Sequence, residues 1–199
     1  MNLRLFAALE PSDLVRRRLG TLQGALRRAA GRAAGDVRWV DPAAVHLTLQ
    51  FLGAAPEERL PAIEAAVAAA AATGAPLHLH ISGAGGFPSA RRPRVLWAGL
   101  TGDVAPLAAL VAALGARLAP LGFPPESRPF SPHLTLGRAR DPRGAPGLAS
   151  ALAHADDGAP PAPWRVAEVV LFRSHLSPSG ARYEALSRAP LGAPALSPG

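Results

Sequence analysis

In several short segments of the chain, every second residue is apolar and would lie on one face of a strand, while the residues between them would lie on the other face. This alternation is typical of strands with one buried face. Residues 3–9 follow this pattern, and residues 45–52 form a strongly apolar run that Gly53 is expected to close. The same signals predict further strands at residues 37–40, 77–82, 94–100, 133–138, 164–176 and 181–188. The last two strands are expected to pair as a hairpin through residues 177–180.

Helical spacing of apolar residues appears in three other segments and weakly at 145–153. The first segment begins at residue 12 and is expected to end near residues 31–35, and the other two are 56–72 and 103–121. Ser12 is predicted to cap the first of these helices. Glycine- and proline-rich segments predict loops at residues 83–93, 122–132 and 158–163. Because several strands follow one another without strict alternation with helices, the pattern predicts an α+β fold with antiparallel sheets. We expect one domain at residues 1–188 and a flexible tail at 189–199.

Composition narrows the classes of chemistry that are open to the chain. Its 199 residues include no cysteine, which excludes disulfides, thiolate metal sites and cysteine nucleophiles. The formal net charge is +7 and all 21 basic residues are arginine, so reactions that need a lysine amine are excluded. Arginines bind phosphate bidentately, although a GC-rich genome explains the same composition.

The sequence carries neither of the signals that would direct it to a membrane. The N-terminus lacks a secretory pattern, and the apolar stretch at residues 65–72 is too short to span a bilayer. A soluble, cytoplasmic protein is therefore expected. As a separate expectation, the protein is a monomer.

One tetrapeptide, HLTL, occurs twice, with its histidines at His46 and His133, 87 residues apart. In a strand, residues two apart share a face, so each copy points its histidine and threonine to one side and its leucines to the other. Two such halves suggest an internal duplication with a pseudo-two-fold axis. That axis would bring both His-Thr pairs, including Thr48 and Thr135, to one groove.

Two imidazoles near neutral pKa can act as base and acid, one accepting a proton from water and the other donating one to a leaving oxygen. Threonine hydroxyls can donate hydrogen bonds to an anionic centre. Arg138, five residues after His133, adds a guanidinium suited to phosphate. This set of groups fits cleavage of a phosphodiester without a metal ion.

The paired motifs resemble those of the 2H phosphoesterase superfamily. Flanking segments narrow the resemblance to the bacterial and archaeal RNA 2′,3′-cyclic phosphodiesterases, historically called 2′-5′ RNA ligases. These segments are RLFAA at 4–8, VRWV at 37–40, HLTLQFLG at 46–53, RVLWAG at 94–99, FSPHLTLGR at 130–138 and LSPSGARY at 176–183. The resemblance covers nearly the whole chain, to about residue 188.

This resemblance implies a bilobal fold in which two antiparallel sheets, with helices outside, face a central groove. It implies hydrolysis of RNA 2′,3′-cyclic phosphate ends to 2′-phosphates without metal or cofactor, and 2′-5′ ligation as the reverse of the same transesterification. On this sequence, His46 and His133 would be the acid/base pair, Thr48 and Thr135 would hold the non-bridging oxygens, and Arg138 would contact phosphate. We assign His133 as the base toward water and His46 as the acid toward the 3′ oxygen.

Several alternatives stay open at this stage. A nucleotide- or RNA-end-binding module with little turnover is the competing function, and the substrate is either an RNA end, such as a tRNA fragment, or a small cyclic nucleotide. The other histidines, 78, 80, 154 and 175, are expected to have no catalytic role, with His175 at most bordering the groove. Phe51, Trp39 and Trp97 are expected in the core, and which aromatic ring could stack on a base stays open.

Overall fold

The computed structural model describes residues 2–155, 162–177 and 180–192. Within these residues the chain forms an α+β fold with two antiparallel sheets and four α-helices, as the sequence predicts. The strands are β1 (Asn2–Leu9), β2 (Val37–Trp39), β3 (Leu47–Pro56), β4 (Leu77–Phe87), β5 (Val95–Gly102), β6 (Leu134–Ala139), β7 (Pro163–Val166), β8 (Glu168–Ser177) and β9 (Gly180–Pro190). The helices are α1 (Asp13–Ala30), α2 (Leu60–Ala71), α3 (Val104–Leu118) and α4 (Ala149–Ala153).

Each sheet contains one of the two HLTL strands. The four-stranded sheet has the order β3-β1-β8-β9, and the five-stranded sheet has the order β2-β6-β5-β4-β7. All the pairings are antiparallel. The motif strands β3 and β6 contact each other across the boundary between the sheets.

The helices cover the sheets and bury the main core between themselves and the strands. Helix α1 begins at Ser12, whose side chain accepts a hydrogen bond from the Val15 amide, as the capping pattern predicts. Its apolar residues at helical spacing face the core, whereas its arginines point mostly away. Helices α2 and α3 pack on each other, and α2 also packs on β8 and β9.

Three predicted boundaries are wrong, each for a physical reason. Gly53 does not end β3, since the strand continues to Pro56. The residue lies beside an irregularity of the pairing with β1 and has a positive φ of 72°, which glycine adopts without strain. Strand β4 continues through the predicted loop to Phe87, with an irregularity at Gly83. The predicted strand at 164–176 is two strands, since the chain passes at Ala167 from the five-stranded sheet to the four-stranded one.

The end of the chain and two predicted turns lie partly beyond what the structure describes. Strand β9 ends at Pro190, and Leu191 is buried in the main core, inside the segment expected to be a tail. Residues 193–199 of that expected tail, residues 156–161 of the proline-rich turn and residues 178–179 of the hairpin turn lie outside the described residues.

Among the described helices, one segment is long and apolar enough to cross a membrane by length and composition alone. It is Val104–Leu121, with a mean hydropathy of 1.8. It does not stand out in the sequence, because Gly115, Arg117 and Pro120 interrupt the apolar run. Four leucines of this segment are buried in the main core, which is the packing of a core helix: Leu107, Leu110, Leu114 and Leu118.

Candidate active site

The two HLTL motifs reach the same region because β2 connects the sheets. Strand β2 pairs with β6, and the Val40 amide extends that pairing by donating to the Leu136 carbonyl. A single turn at Pro42–Ala44 then leads directly into His46 and β3. The start of the first motif is therefore tethered to the strand that carries the second.

Both histidines stand immediately before their strands and are held in the same way. The Nδ1 of His46 lies 3.1 Å from the Ala44 carbonyl, and the Nδ1 of His133 lies 2.7 Å from the Ser131 carbonyl. A carbonyl oxygen can only accept, so Nδ1 must be the protonated nitrogen in each of these bonds. The same local contact two residues upstream therefore leaves Nε2 of both rings for proton transfer.

The threonines and leucines of the motifs occupy opposite faces of their strands. Leu47, Leu49, Leu134 and Leu136 are buried in the core, whereas Thr48 and Thr135 are half-buried. Thr48 stands opposite Ala8 of β1, and Thr135 stands opposite Trp97 of β5. The alternation that the sequence predicts for HLTL is present in both copies.

A β-bulge follows the threonine in both motif strands, and it changes which residues share a face with that threonine. We call the face of the motif strands that carries Thr48 and Thr135 the groove face, and the space beside it the groove. Leu49 is the unpaired residue in β3, between Thr48 and Gln50, and Leu136 is the unpaired residue in β6. Each extra residue reverses the alternation that follows it. The fifth residue after each histidine, Phe51 or Arg138, therefore joins its histidine and threonine on one face.

The surroundings of His46 are aromatic. Its ring centroid lies 4.7 Å from that of Phe6 and 4.8 Å from that of Tyr183, and the Tyr183 ring is nearly perpendicular to the imidazole. Phe6, Phe172 and two smaller residues form a second apolar cluster on this face, beneath the imidazole. A cavity of 310 Å³ opens beside His46, and charged side chains line it: Glu10, Arg16, Asp41 and Arg182.

His133 packs on a second aromatic pair from the five-stranded sheet. The rings of His133 and Phe87 pack edge to face, with their centroids 5.0 Å apart. The centroid of the Phe87 ring lies 5.3 Å from that of Trp97. A Cβ at Gly85 would overlap the Trp97 ring, so glycine is needed for the indole to lie flat on β4. Each imidazole is thus held by aromatic rings from its own sheet.

Burial lowers the pKa of His46, because removal from water disfavours the charged imidazole. The Ala44 carbonyl opposes this effect, since it accepts a hydrogen bond from Nδ1, and the positive charge of Arg138 lowers the pKa further. Arg138 belongs to the other sheet. Its electrostatic effect on His46 therefore acts across the groove between the two motif strands.

Replacement of Arg138 by glutamine is expected to raise the pKa of His46 toward the ordinary value of about 6.5, because one lowering charge is removed while the burial remains. NMR titration of the His46 ring protons in the ligand-free protein measures this directly. The Arg165→Gln variant, which removes an equal charge from β7 at the far edge of the same sheet, should leave the His46 titration unchanged. Identical titration curves for wild type and Arg138→Gln would contradict the electrostatic link.

Two buried glutamines, which did not stand out in the sequence, connect the halves of the site. The Gln23 amide of α1 donates to the carbonyls of Val40, at 2.7 Å, and Leu136, at 2.9 Å. The Gln50 amide donates to the carbonyls of Phe123 and Pro124, in the loop that leads to the second motif. A glutamine within an apolar helical stripe was the available signal for Gln23, because a buried amide needs partners.

The structure gives specific positions to the remaining residues of interest. Phe51 is 54% exposed on the groove face, so the expectation that it lies in the core is wrong. Trp39 and Trp97 are half-buried against their sheets. His175 pairs with Glu184 at 2.7 Å, and His154 caps the outer helix α4.

His78 lies 3.7 Å from Asp103, and no group of three His, Cys, Asp or Glu side chains in the described ranges is arranged to hold a metal ion. The histidine pair on β4 therefore has no third ligand within those ranges.

One His-x-Thr pair on each of two sheets, with Arg138 on the second, is the arrangement typical of the two-histidine phosphoesterase class of proteins. The model of the 2′-5′ RNA ligase superfamily matches residues 11–178, and the chain belongs to that superfamily. A protein of Methanothermobacter thermautotrophicus named RNA 2′,3′-cyclic phosphodiesterase is 33% identical over 92% of this chain and 96% of its own length. One of the same name from Thermus thermophilus is 32% identical over 94% and 89%.

Solved structures give the same assignment. The crystal structure of TT0787 from Thermus thermophilus superposes with a TM-score of 0.75 at 31% identity, and the match covers 95% of this chain and 98% of that one. Escherichia coli LigT in complex with 3′-AMP superposes with a TM-score of 0.69 at 26% identity, over 96% and 99% of the two chains. The predicted fold and family are confirmed.

Proposed function

We propose that this protein is an RNA 2′,3′-cyclic phosphodiesterase that hydrolyses the cyclic phosphate end of RNA to a 2′-phosphate by acid/base catalysis. One observation carries the proposal: each of two contacting strands is immediately preceded by a histidine whose Nδ1 donates to a carbonyl two residues upstream. A pair of imidazoles held alike, with both Nε2 atoms left for proton transfer, suits a reaction that needs one base and one acid. The names of the relatives support the same activity.

In the proposed reaction, Nε2 of His133 accepts a proton from water as the water oxygen forms a bond to phosphorus. The bond between phosphorus and the 3′ oxygen breaks, and Nε2 of protonated His46 donates its proton to that oxygen. The product carries a 2′-phosphate and a 3′-hydroxyl. The lowered pKa of His46 suits this role, because it makes the protonated ring a stronger acid, and the bound anion favours the protonated form.

Three groups are proposed to stabilise the negative charge that accumulates on the non-bridging oxygens. The hydroxyls of Thr48 and Thr135 donate from the two sheets, and Arg138 supplies a positive charge that the bulge at Leu136 turns toward the groove. Donors that are already in position when charge develops lower the barrier most effectively. Phe51, exposed on the same face, offers a ring on which the terminal base can stack.

Incubation with uridine 2′,3′-cyclic phosphate, followed by ³¹P NMR, tests the proposal. The cyclic phosphate signal should be replaced by that of the 2′-phosphate alone, at the same rate with and without EDTA, because none of the proposed steps uses a metal ion. Formation of the 3′-phosphate would contradict the assigned regiochemistry, and loss of turnover on chelation would contradict the mechanism.

A binding module that recognises RNA ends with little turnover is the second candidate. The paired, similarly oriented imidazoles favour the enzyme, since recognition alone does not need a matched acid and base. Tight binding of the cyclic nucleotide without its conversion in the NMR experiment would favour the module. For the enzyme, we propose cytoplasmic RNA ends, such as tRNA fragments, as substrates, which the net charge of +7 supports.

A further inference from the structure

Two arginines stand directly opposite each other at the edge of the five-stranded sheet. Arg38 of β2 is paired with Arg138 of β6, in an antiparallel register. Residues opposite each other in such a pair project to the same face, with Cα atoms about 4.5–5.5 Å apart. Both side chains are exposed, and within residues 2–155, 162–177 and 180–192 neither forms an ion pair with an acidic residue.

Like charges directly opposite each other destabilise a sheet, and an anion between or beside them relieves the repulsion. Arg138 already faces the groove, since its charge acts on His46. Arg38 therefore extends the positive surface by one strand, from the proposed phosphate site toward the open edge at β2. A ligand that follows this direction must carry a second negative charge beyond the reacting phosphate.

We propose that Arg38 binds the phosphodiester on the 5′ side of the terminal nucleotide, while Arg138 contacts the cyclic phosphate. This proposal rests on the proposed function and specifies its substrate: RNA with at least one internal phosphate, rather than a cyclic mononucleotide. Guanidinium groups suit this role because they bind phosphate oxygens bidentately and keep their charge at every physiological pH. Arg38 and Arg138 are directly opposite each other on neighbouring strands, so their two guanidinium groups can contact different phosphates of one RNA strand.

Three substrates separate the charge of the internal phosphate from the rest of the nucleotide. They are uridine 2′,3′-cyclic phosphate, the dinucleotide UpU with a 2′,3′-cyclic end, and the same dinucleotide with a neutral methylphosphonate linkage. Arg38→Gln is expected to lower kcat/KM about tenfold for the charged dinucleotide and to leave the other two substrates within twofold of wild type. Arg38→Lys, which keeps the charge, should recover part of the loss.

The dependence on salt gives an independent measurement. Loss of one phosphate contact on a single strand should reduce the slope of log kcat/KM against log salt by about 0.7 for the charged dinucleotide. Arg165→Gln on β7, at the opposite edge of the same sheet, is the matched control, because it removes one exposed arginine four strands away. It should preserve both the substrate preference and the salt slope.

Equal losses on all three substrates would overturn the proposal and place Arg38 at the reacting phosphate. An unchanged preference for the charged dinucleotide would overturn it as well. If the wild type converts none of the substrates, the proposed function fails separately. Calorimetric binding of UpU 2′-phosphate against uridine 2′-phosphate then decides the role of Arg38, since only the first should bind more weakly to Arg38→Gln.

Discussion

Replacement of His46 or His133 by alanine is expected to lower kcat/KM for a 2′,3′-cyclic phosphate by about 10²–10⁴-fold, because each imidazole is assigned one of the two proton transfers. The loss should appear mainly in kcat, since proton transfer takes place in the transition state and not in the bound ground state. Steady-state kinetics on uridine 2′,3′-cyclic phosphate, with the fold checked by circular dichroism, measures both quantities.

His154→Ala is the matched control for these variants. His154 also has its Nδ1 beside a carbonyl of its own element, that of Ser150 at 2.9 Å, but it stands at the end of α4 on the outside of the domain. Its removal should leave kcat unchanged. The double variant of His46 and His133 should be little worse than the more damaged single variant, because groups that act together are not additive. A His46→Ala protein with wild-type kcat would contradict the mechanism.

The second large effect is expected from the threonines. Replacement of Thr48 or Thr135 by valine keeps the shape of the side chain and removes the hydroxyl donor, and it should lower kcat about 10²-fold. Because the residues are half-buried at the groove face and their leucine neighbours hold the strand, the fold should persist. Kinetics on the same cyclic nucleotide and the thermal midpoint of unfolding separate the two effects.

Serine at either threonine position should restore most of the activity, since it returns the hydroxyl without the methyl group. The control is Thr21→Val on the exposed side of α1, where the hydroxyl only donates to the Arg17 carbonyl. That variant should be fully active. If valine at positions 48 and 135 left kcat unchanged, the threonines would have no part in stabilising the phosphate oxygens.

The motif strands were predictable because their alternation has period two and their leucines are strongly apolar. The buried leucines and half-buried threonines of both copies follow directly from that period. Duplication of a four-residue pattern also predicted two related sheets. The roles of the four motif side chains stay a prediction, which the histidine and threonine variants test.

The bulges were not predictable, and they explain the largest error at the site. Without a bulge at Leu49, the fifth residue after His46 would face the core, which is where Phe51 was expected. A bulge is a property of the pairing between two strands, and the sequence of one strand does not specify it. The corresponding bulge at Leu136 turns Arg138 toward the groove. The same kind of irregularity therefore places Phe51 and Arg138 on the groove face.

The local sequence pattern also could not predict that the chain passes from one sheet to the other at Ala167. Residues 164–176 read as one continuous strand, because an apolar alternation looks the same whichever sheet it joins. The break at Ala167 is set by tertiary pairing, with β7 beside β4 and β8 beside β1. The contacts of Gln23 with carbonyls 17 and 113 residues away have the same origin.

The hydrogen bonds from the Gln23 side chain to the Val40 and Leu136 carbonyls do not depend on pH or salt. A carboxamide neither gains nor loses a proton between the pH values at which imidazoles titrate, and its bonds to two peptide carbonyls are shielded from mobile ions. The end of β2 and the second motif strand are thus held together by a group that is indifferent to acidity and ionic strength. The proton transfers proposed for the two imidazoles would therefore leave this part of the scaffold unchanged.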